Sequence, residues 1–190
     1  MIKIGILGDI GSGKSSVAKT FGYPVFNADD EVSELYRKDK RIFTKLKKKL
    51  PNHIFSFPIK KKEVAEAILS NNSNLKKIVK IVHPKIKKKM KLFLKKNKSK
   101  KIVVLDIPLL LENRINHKKD ILIFVHSNKK ETFKRLKKRR SFNSDLLKKF
   151  KNIQLPLDYK KKKSDYVIKN DFTKKSLKKS VKLILRKILV

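Results

Sequence analysis

The sequence predicts an α/β fold built on a parallel sheet. Five short apolar runs, typical of buried strands, alternate with longer segments in which apolar residues recur every three or four positions, as they do in helices. Strands that alternate with helices form crossover units in which neighbouring strands run parallel. The predicted strands are residues 2–7, 23–26, 102–105, 121–125 and 166–168.

The opening segment predicts a strand, a loop, a helix and a second strand. Residues 2–7 are apolar and end at a glycine-rich turn. Residues 15–21 then show helical spacing, and Gly22 is a typical helix stop before the strand at 23–26. The chain is therefore expected to open with a strand, loop, helix, strand unit.

Residues 30–97 are predicted to form a helical insertion. Apolar residues fall three or four apart between lysines, and Pro51 and Pro58 indicate internal turns. Proline is favoured in the first turn of a helix, so a long amphipathic helix is expected to begin at Pro84 and to continue through Leu94.

The second half of the chain returns to the strand–helix pattern. Two helices joined by a turn are expected between the fourth and fifth strands, with Asn143 as a helix N-cap, and one more helix closes the chain. These three helices are predicted at residues 132–139, 145–153 and 177–189.

Length and composition favour one compact unit in a reducing compartment. The chain has 190 residues, of which 39% are hydrophobic, and no cysteine, so disulfides and thiolate metal sites are excluded. The apolar runs are too short to span a bilayer, and Met1 leads directly into a strand. We expect a cytoplasmic protein without a membrane partner.

The net charge of +37 would ordinarily suggest a nucleic-acid partner. Only seven of the 53 basic residues are arginine, however, and the lysines occur in nearly every segment. Arginine is the residue that suits bidentate phosphate and base recognition. A lysine-rich composition is the favoured explanation, with nonspecific binding to polyanions at low salt and no specific nucleic-acid partner.

The clearest chemical signal is the sequence from Gly8 to Ser15, which matches the pattern G-x-x-x-x-G-K-[ST] between a strand and a helix. Its glycines let the backbone wrap a phosphate, Lys14 can reach the transferred phosphoryl group, and Ser15 can coordinate Mg²⁺. An ordinary strand-to-helix turn needs one glycine, not three. The predicted ATP-binding residues here are Gly8, Asp9, Ile10, Gly11, Ser12, Gly13, Lys14, Ser15 and Ser16.

A phosphate-binding loop alone leaves kinases, GTPases and mechanical ATPases open. Further fragments along nearly the whole chain resemble the dephospho-CoA kinase family. They are Asn27-Ala28-Asp29, Val82-His83-Pro84, Asp106-Ile107-Pro108-Leu109-Leu110-Leu111-Glu112, Arg135 with Arg139, Gln154, and the segment from Asp165 to Asn170.

The resemblance implies a three-layer P-loop kinase fold with a five-stranded parallel sheet, a helical insertion and a two-helix lid. It also implies ATP and Mg²⁺ as cofactors and dephospho-CoA as the substrate, phosphorylated on its ribose 3′-hydroxyl. The expected parts are a nucleotide-binding core at 1–29, 98–128 and 164–190, an acceptor-binding insertion at 30–97 and a lid at 129–163.

By the same resemblance, Asp29, Lys14 and Arg139 are the expected catalytic residues, and Asn170 lies near the adenine of ATP. Asp29 would accept the proton of the hydroxyl, although an acidic residue there also suits a helix N-terminus. Arg135 is equally compatible with a solvated helix face. The expected acceptor-binding residues are Asp29, His83, Asp106, Pro108, Leu109 and Glu112.

Two of these acceptor residues also have structural explanations. His83 before Pro84 suits a buried structural histidine, and Glu112 suits a favourable charge at a helix end. Pro108 and Leu109 are apolar and would form pocket wall or core.

The chain departs from the family pattern at three positions, each with loss of a charged group. Asn27 replaces the first aspartate of the family's Asp-Ala-Asp, Arg140 replaces an aspartate, and Leu157 replaces an arginine. Asn27 can form hydrogen bonds but cannot act as a base, which leaves that role to Asp29. The lysines at 160–163 partly compensate for the missing arginine, with poorer geometry.

Three alternatives stay open from the residues alone. Another small-molecule kinase of this fold would share the reaction type. A GTP-binding switch is suggested by Asn128-Lys129-Lys130-Glu131 but needs aspartate at the fourth position, and a nucleic-acid-binding ATPase would use the charge. For the kinase we expect a monomer or a weak homo-oligomer.

Overall fold

The chain forms the parallel five-stranded sheet that the sequence predicts. The computed structural model describes residues 1–139 and 142–189. The strands are β1 (Ile2–Gly8), β2 (Val25–Asn27), β3 (Ile102–Asp106), β4 (Ile121–Ser127) and β5 (Tyr166–Asn170). Their order across the sheet is β2-β3-β1-β4-β5, and every neighbouring pair is parallel. The α/β prediction is confirmed.

Helices follow or separate the strands along the chain. They are α1 (Lys14–Thr20), α2 (Ala28–Lys38), α3 (Lys40–Lys49), α4 (Lys61–Ser70), α5 (Asn72–Lys96), α6 (Lys129–Lys137), α7 (Ser144–Asn152), α8 (Leu157–Lys162) and α9 (Lys174–Ile188). Within the described residues, no helix combines the length and the apolar character that crossing a lipid bilayer requires.

The chain divides into two compact units, of which the first contains the sheet. This unit comprises Met1–Asn27, Asn97–Phe142 and Phe150–Val190. Its core buries strand residues such as Ile6 and Val104 together with Val17 of α1 and Val181 of α9. Strands buried on both faces read as continuous apolar runs, which is why the sequence indicated β1, β3 and β4 so clearly.

The second unit is helical and comprises Ala28–Lys96 with Asn143–Lys149. Asp39 caps α3 by accepting a hydrogen bond of 3.0 Å from the backbone N–H of Ile42. From α7, Lys149 Nζ donates to the carbonyl oxygens of Ile68 and Leu69 at 2.9 and 3.0 Å. A cation on the last carbonyls of α4 is favourable because those groups lack partners within the helix.

The long helix of this unit does not begin at Pro84, so that prediction is wrong. α5 begins at Asn72 and passes through Pro84, twelve residues later. Ile78 and Val82, which precede the proline, are buried and belong to the same apolar stripe. An internal proline costs about 3 kcal/mol. Burying that stripe offsets the cost, and Pro84 itself lies on the exposed side of the helix.

The short helix α8 (Leu157–Lys162) overlaps the lysine-rich segment at 160–163, where no helix was predicted. Asn143, in contrast, caps α7 as predicted, with Oδ1 accepting from Leu146 N at 2.8 Å. A side-chain cap has a sequence signature, whereas the N-cap residue of α8 is Pro156, which makes no side-chain cap, so the sequence contains no such signal for this helix.

Candidate active site

Positive backbone angles shape the loop between β1 and α1. Gly8, Gly11 and Gly13 have φ of 144°, 82° and 91°. A Cβ at Gly11 would lie 2.7 Å from Leu136 Cγ, and one at Gly13 would lie 2.3 Å from Asn170 Nδ2. These positions need glycine both for conformation and for space. The motif therefore has the backbone of a phosphate-binding turn.

We expect Gly13→Ala to destabilise the first unit and to weaken ATP binding at least tenfold. An L-residue in the left-handed region costs about 1–2 kcal/mol, and here the added methyl group also collides with Asn170. Urea unfolding and nucleotide titration measure the two effects.

Gly22→Ala is the matched control, because Gly22 has φ of 73° and no neighbouring atom within 4 Å of the place that a Cβ would take. It should show the backbone cost alone and unchanged ATP binding. Equal loss of stability and equal ATP binding in the two variants would contradict the packing argument.

Lys14 is the first residue of α1 and folds back over the loop. Its Nζ donates to the carbonyl oxygens of Asp9 at 2.7 Å and Gly8 at 3.2 Å. Asp9 Oδ1 accepts from the N–H of Ile10 at 2.7 Å, which fixes the loop tip. An ammonium group held by two carbonyls can exchange them for phosphate oxygens without a large rearrangement.

The serines at the start of α1 have hydroxyl oxygens of the kind that can coordinate a magnesium ion. Ser15 and Ser16 are exposed there, and Asp106 is a buried carboxylate at the end of β3. Mg²⁺ is usually bound by one or two protein oxygens together with phosphates and water. In the described ranges, no cluster of three or more histidine, cysteine or acidic residues could hold a metal. The donor set fits a magnesium ion that arrives with a nucleotide.

Asn170 ties the end of β5 to the phosphate-binding loop. Its Nδ2 donates to the carbonyl oxygen of Ser12 at 2.8 Å, and its Oδ1 accepts from the N–H of Phe172 at 3.0 Å. Asn170 and Ser12 are both buried. Asn170 thus holds the phosphate-binding loop and positions Phe172 beside that loop.

Phe172 lies beside the phosphate-binding loop and was assigned no role from the sequence. The guanidinium carbon of Arg135 lies 4.4 Å from the centre of its ring, a cation–π contact. Phe172 has φ of 65°, which is rare for a non-glycine residue. The available signal in the sequence was an aromatic residue two positions after Asn170, the last residue of β5.

Asn27 and Asp106 meet at the carboxyl edge of the sheet. They are paired in register at the ends of β2 and β3, and Asn27 Nδ2 donates to Asp106 Oδ2 at 2.7 Å. Two ionised carboxylates at this distance would repel each other. The asparagine that departs from the family pattern therefore supplies a donor to a buried carboxylate.

Asp29 and His83 belong to the helical unit. Asp29 is exposed in the first turn of α2, and its carbonyl accepts from the hydroxyl of Ser33 at 2.8 Å. His83 is half-buried in α5, where burial and the nearby charge of Lys87 lower the pKa of its imidazole. The imidazole is therefore neutral at pH 7 and can both donate and accept a hydrogen bond.

Arg139 is exposed just after α6. Its backbone N–H donates to Leu136 and its carbonyl accepts from Phe142, each at 3.0 Å. Arg140, one of the three departures from the family pattern, lies outside the described residues. The Arg139 side chain is therefore open to solvent.

The segment after β3 divides into exposed and buried residues. Pro108 is exposed, Leu109 is half-buried with φ of 58°, and Glu112 is largely buried. Glu112 Oε1 lies 2.6 Å from Lys160 Nζ, so the glutamate that was expected at the acceptor is engaged in an ion pair. Sequence reasoning gave Lys160 no special status among its neighbours.

A cavity of about 320 Å³ lies beside the phosphate-binding loop. Asp9 and Ile10 of the loop form one side, and side chains of α6 form another. The third side is the segment from Gln154 to Leu157. Leu157, which stands where the family pattern has an arginine, is thus a half-buried wall residue.

Comparisons with known proteins agree with one another. Residues 2–176 match the family model described as dephospho-CoA kinase. A dephospho-CoA kinase of Wolbachia from Brugia malayi is 34% identical over 187 residues, covering 96% of this chain and 95% of the relative. One from Rickettsia typhi is 30% identical, with coverage of 99% and 98%.

Solved structures extend the comparison to the fold. A crystal structure of a Thermus thermophilus protein, TT1252, superposes with a TM-score of 0.75 at 26% identity, covering 98% of this chain and 97% of that one. Dephospho-CoA kinase from Campylobacter jejuni gives a TM-score of 0.62 at 20% identity, with coverage of 98% and 96%. At that identity the likeness concerns the fold alone.

Proposed function

Since this chain belongs to the dephospho-CoA kinase family, whose ATP-dependent reaction is the last step of coenzyme A biosynthesis, we propose that Lys14, Asp29 and Arg139 carry its catalysis. The reaction transfers the γ-phosphoryl group of ATP to the ribose 3′-hydroxyl of dephospho-CoA and releases ADP. The chain is therefore an ATP-dependent phosphotransferase with an alcohol acceptor.

The observation that best supports this assignment is the ammonium group of Lys14 lying over the glycine loop, 2.7 Å from the carbonyl oxygen of Asp9. ATP phosphates take the place of the carbonyls, and backbone N–H groups of the loop and of the start of α1 bind the phosphate oxygens. Lys14 then neutralises charge that builds up on the β- and γ-phosphates during transfer.

Ser15 and Asp106 are the residues that would hold magnesium, Ser15 directly and Asp106 through water. The ion, when bound with ATP, neutralises phosphate charge. Asn27 orients the Asp106 carboxylate by its hydrogen bond of 2.7 Å. This hydrogen bond fixes the orientation of the Asp106 carboxylate at the carboxyl edge of the sheet.

Asp29 orients the ribose 3′-hydroxyl and accepts its proton as the new O–P bond forms. It follows β2 by two residues, beyond the carboxyl end of a parallel strand, where open α/β sheets bind ligands. A carboxylate in the first turn of α2 is also stabilised by the helix dipole, so the proposed catalytic role does not conflict with the stability of the helix.

Arg139, Arg135 and Asn170 contribute to nucleotide binding. Arg139 closes over the phosphates, where a planar cation stabilises charge on the phosphoryl group in transit. The Arg135–Phe172 contact provides flat surfaces for the adenine beside Asn170, which keeps the loop in place.

The acceptor is held by Asp29, Asp106, His83, Pro108 and Leu109. His83 is neutral at pH 7, because its pKa is lowered, and so binds through hydrogen bonding instead of charge. Pro108 and Leu109 contribute apolar contact. For Glu112 the ion pair with Lys160 supports an indirect role.

We infer that the protein works in the cytoplasm as a monomer or weak homo-oligomer, because the reaction requires only ATP, Mg²⁺ and a small-molecule acceptor. The charge of +37 adds nonspecific attraction to polyanions that weakens steeply with salt. Sequence-selective binding to nucleic acid that persists at high salt would contradict the absence of a specific nucleic-acid partner.

The GTP-binding alternative is disfavoured by the geometry of Asn128. Its Oδ1 accepts from the N–H groups of Lys130 and Glu131 at 2.9 and 3.2 Å, as the N-cap of α6. A side chain occupied in this way is a helix cap, which explains the partial match to a guanine-reading pattern.

The direct test is ADP release by the purified protein with ATP, Mg²⁺ and a panel of acceptors that includes dephospho-CoA, shikimate and nucleosides. We expect turnover with dephospho-CoA, and the phosphate should appear on the ribose 3′-oxygen by NMR. Turnover only with another acceptor would keep the reaction type and reject the substrate. No acceptor-dependent ADP release would reject both.

A further inference from the structure

Lys160 differs from the other basic residues in its burial. Its side chain is 4% exposed, and among residues 1–139 and 142–189 no other lysine or arginine is buried. Burying an ammonium group is costly unless it is paired and hydrogen-bonded. A composition rich in lysine explains exposed lysines, but it does not explain this one.

The partners of Lys160 join three places in the first unit. Its Nζ lies 2.6 Å from Glu112 Oε1 and donates to Gln154 Oε1 at 3.2 Å. The same Glu112 oxygen accepts from the backbone N–H of Leu155 at 3.0 Å. The segment after β3 is thereby fastened both to α8 and to the chain that leads into α8.

The segment from Gln154 to Leu157, to which the pair is hydrogen-bonded, is a wall of the cavity beside the phosphate-binding loop. Gln154 and Leu155, which bond to the Lys160–Glu112 pair, line that cavity together with Asp9 and Ile10. A shift of the pair moves this wall relative to the loop tip. Misplacement by about 1 Å can lower catalysis as much as 100-fold.

We propose that Lys160 and Glu112 are positioning residues of the phosphoryl transfer, which together set the distance between the 154–157 segment and the phosphate-binding loop. The inference rests on the proposed kinase function. The bonds of the pair lead to Gln154 and Leu155 in the cavity wall, so its effect falls on the geometry of that wall rather than on ATP affinity.

The test compares Lys160→Met with Lys178→Met, an exposed lysine of α9 in the same unit. At a temperature where both proteins are folded, kcat should fall about tenfold in Lys160→Met, with KM for ATP unchanged within about twofold. Lys178→Met should retain full activity. Amide hydrogen exchange of residues 154–157 should accelerate in Lys160→Met alone, while β1 and β3 stay protected.

Conservative and charge-neutral variants separate positioning from stability. Lys160→Arg keeps the cation and should retain most of kcat. If Lys160→Met does not fold, the double variant Glu112→Gln with Lys160→Met replaces it, because no unpaired charge is then buried. A folded variant with lowered Tm but unchanged kcat would overturn the inference, as would an equal loss in Lys178→Met. Lack of wild-type turnover with dephospho-CoA would instead reject the proposed function.

Discussion

Replacement of Lys14 by methionine is expected to lower kcat about 100- to 1,000-fold. Methionine keeps most of the side-chain length but removes the ammonium group that lies 2.7 Å from the carbonyl oxygen of Asp9. Loss of one preorganised electrostatic partner of the transition state has an effect of this size. Steady-state ADP release with saturating dephospho-CoA measures it.

Lys19→Met is the matched control for this prediction. Lys19 is exposed in the last turn of the same helix, and a lysine there contributes only a small interaction with the helix dipole. Both variants should unfold at nearly the same urea concentration as the parent. Turnover of Lys14→Met within a factor of three of Lys19→Met would exclude the catalytic role of Lys14.

Local sequence features predicted the sheet and the glycine turn because their physical causes are local. β1, β3 and β4 are buried on both faces, which leaves a continuous apolar run in the sequence. The positive φ angles of Gly8, Gly11 and Gly13 explain why the motif needs glycine at fixed spacing.

Features set by tertiary contacts were harder to predict. The helix through Pro84 forms because an apolar stripe of the same helix is buried, which a local helix-breaking rule does not include. Lys160 stands in a run of four lysines, and only the fold shows that it pairs with Glu112, 48 residues away. Phe172 was also not predicted, because its position depends on its cation–π contact with Arg135 and its hydrogen bond to Asn170.

The pairing of Asn27 with Asp106 shows how a departure from a family pattern can be compensated locally. An amide at position 27 donates to the carboxylate, whereas a second carboxylate would repel it. The sequence indicated only that residue 27 cannot act as a base. The sheet register supplied the reason why a donor is useful there.

Asp29→Asn is expected to lower kcat about 100- to 10,000-fold, with little change in KM for ATP. Asparagine has nearly the same shape and can still hydrogen-bond to the ribose hydroxyl, but it cannot accept the proton. General-base catalysis contributes an effect of this size. Single-turnover phosphoryl transfer from ATP to dephospho-CoA measures the chemical step directly.

Asp30→Asn provides the matched control, because Asp29 and Asp30 are adjacent, exposed and both in the first turn of α2. Each carboxylate there interacts with the helix dipole by about 0.3–1 kcal/mol, so the two variants should lose similar stability. They should differ in chemistry, because only one of them is proposed to take the proton. If the two variants transfer phosphate at the same rate, Asp29 is a helix-capping residue, and the proton must leave through another group or through water.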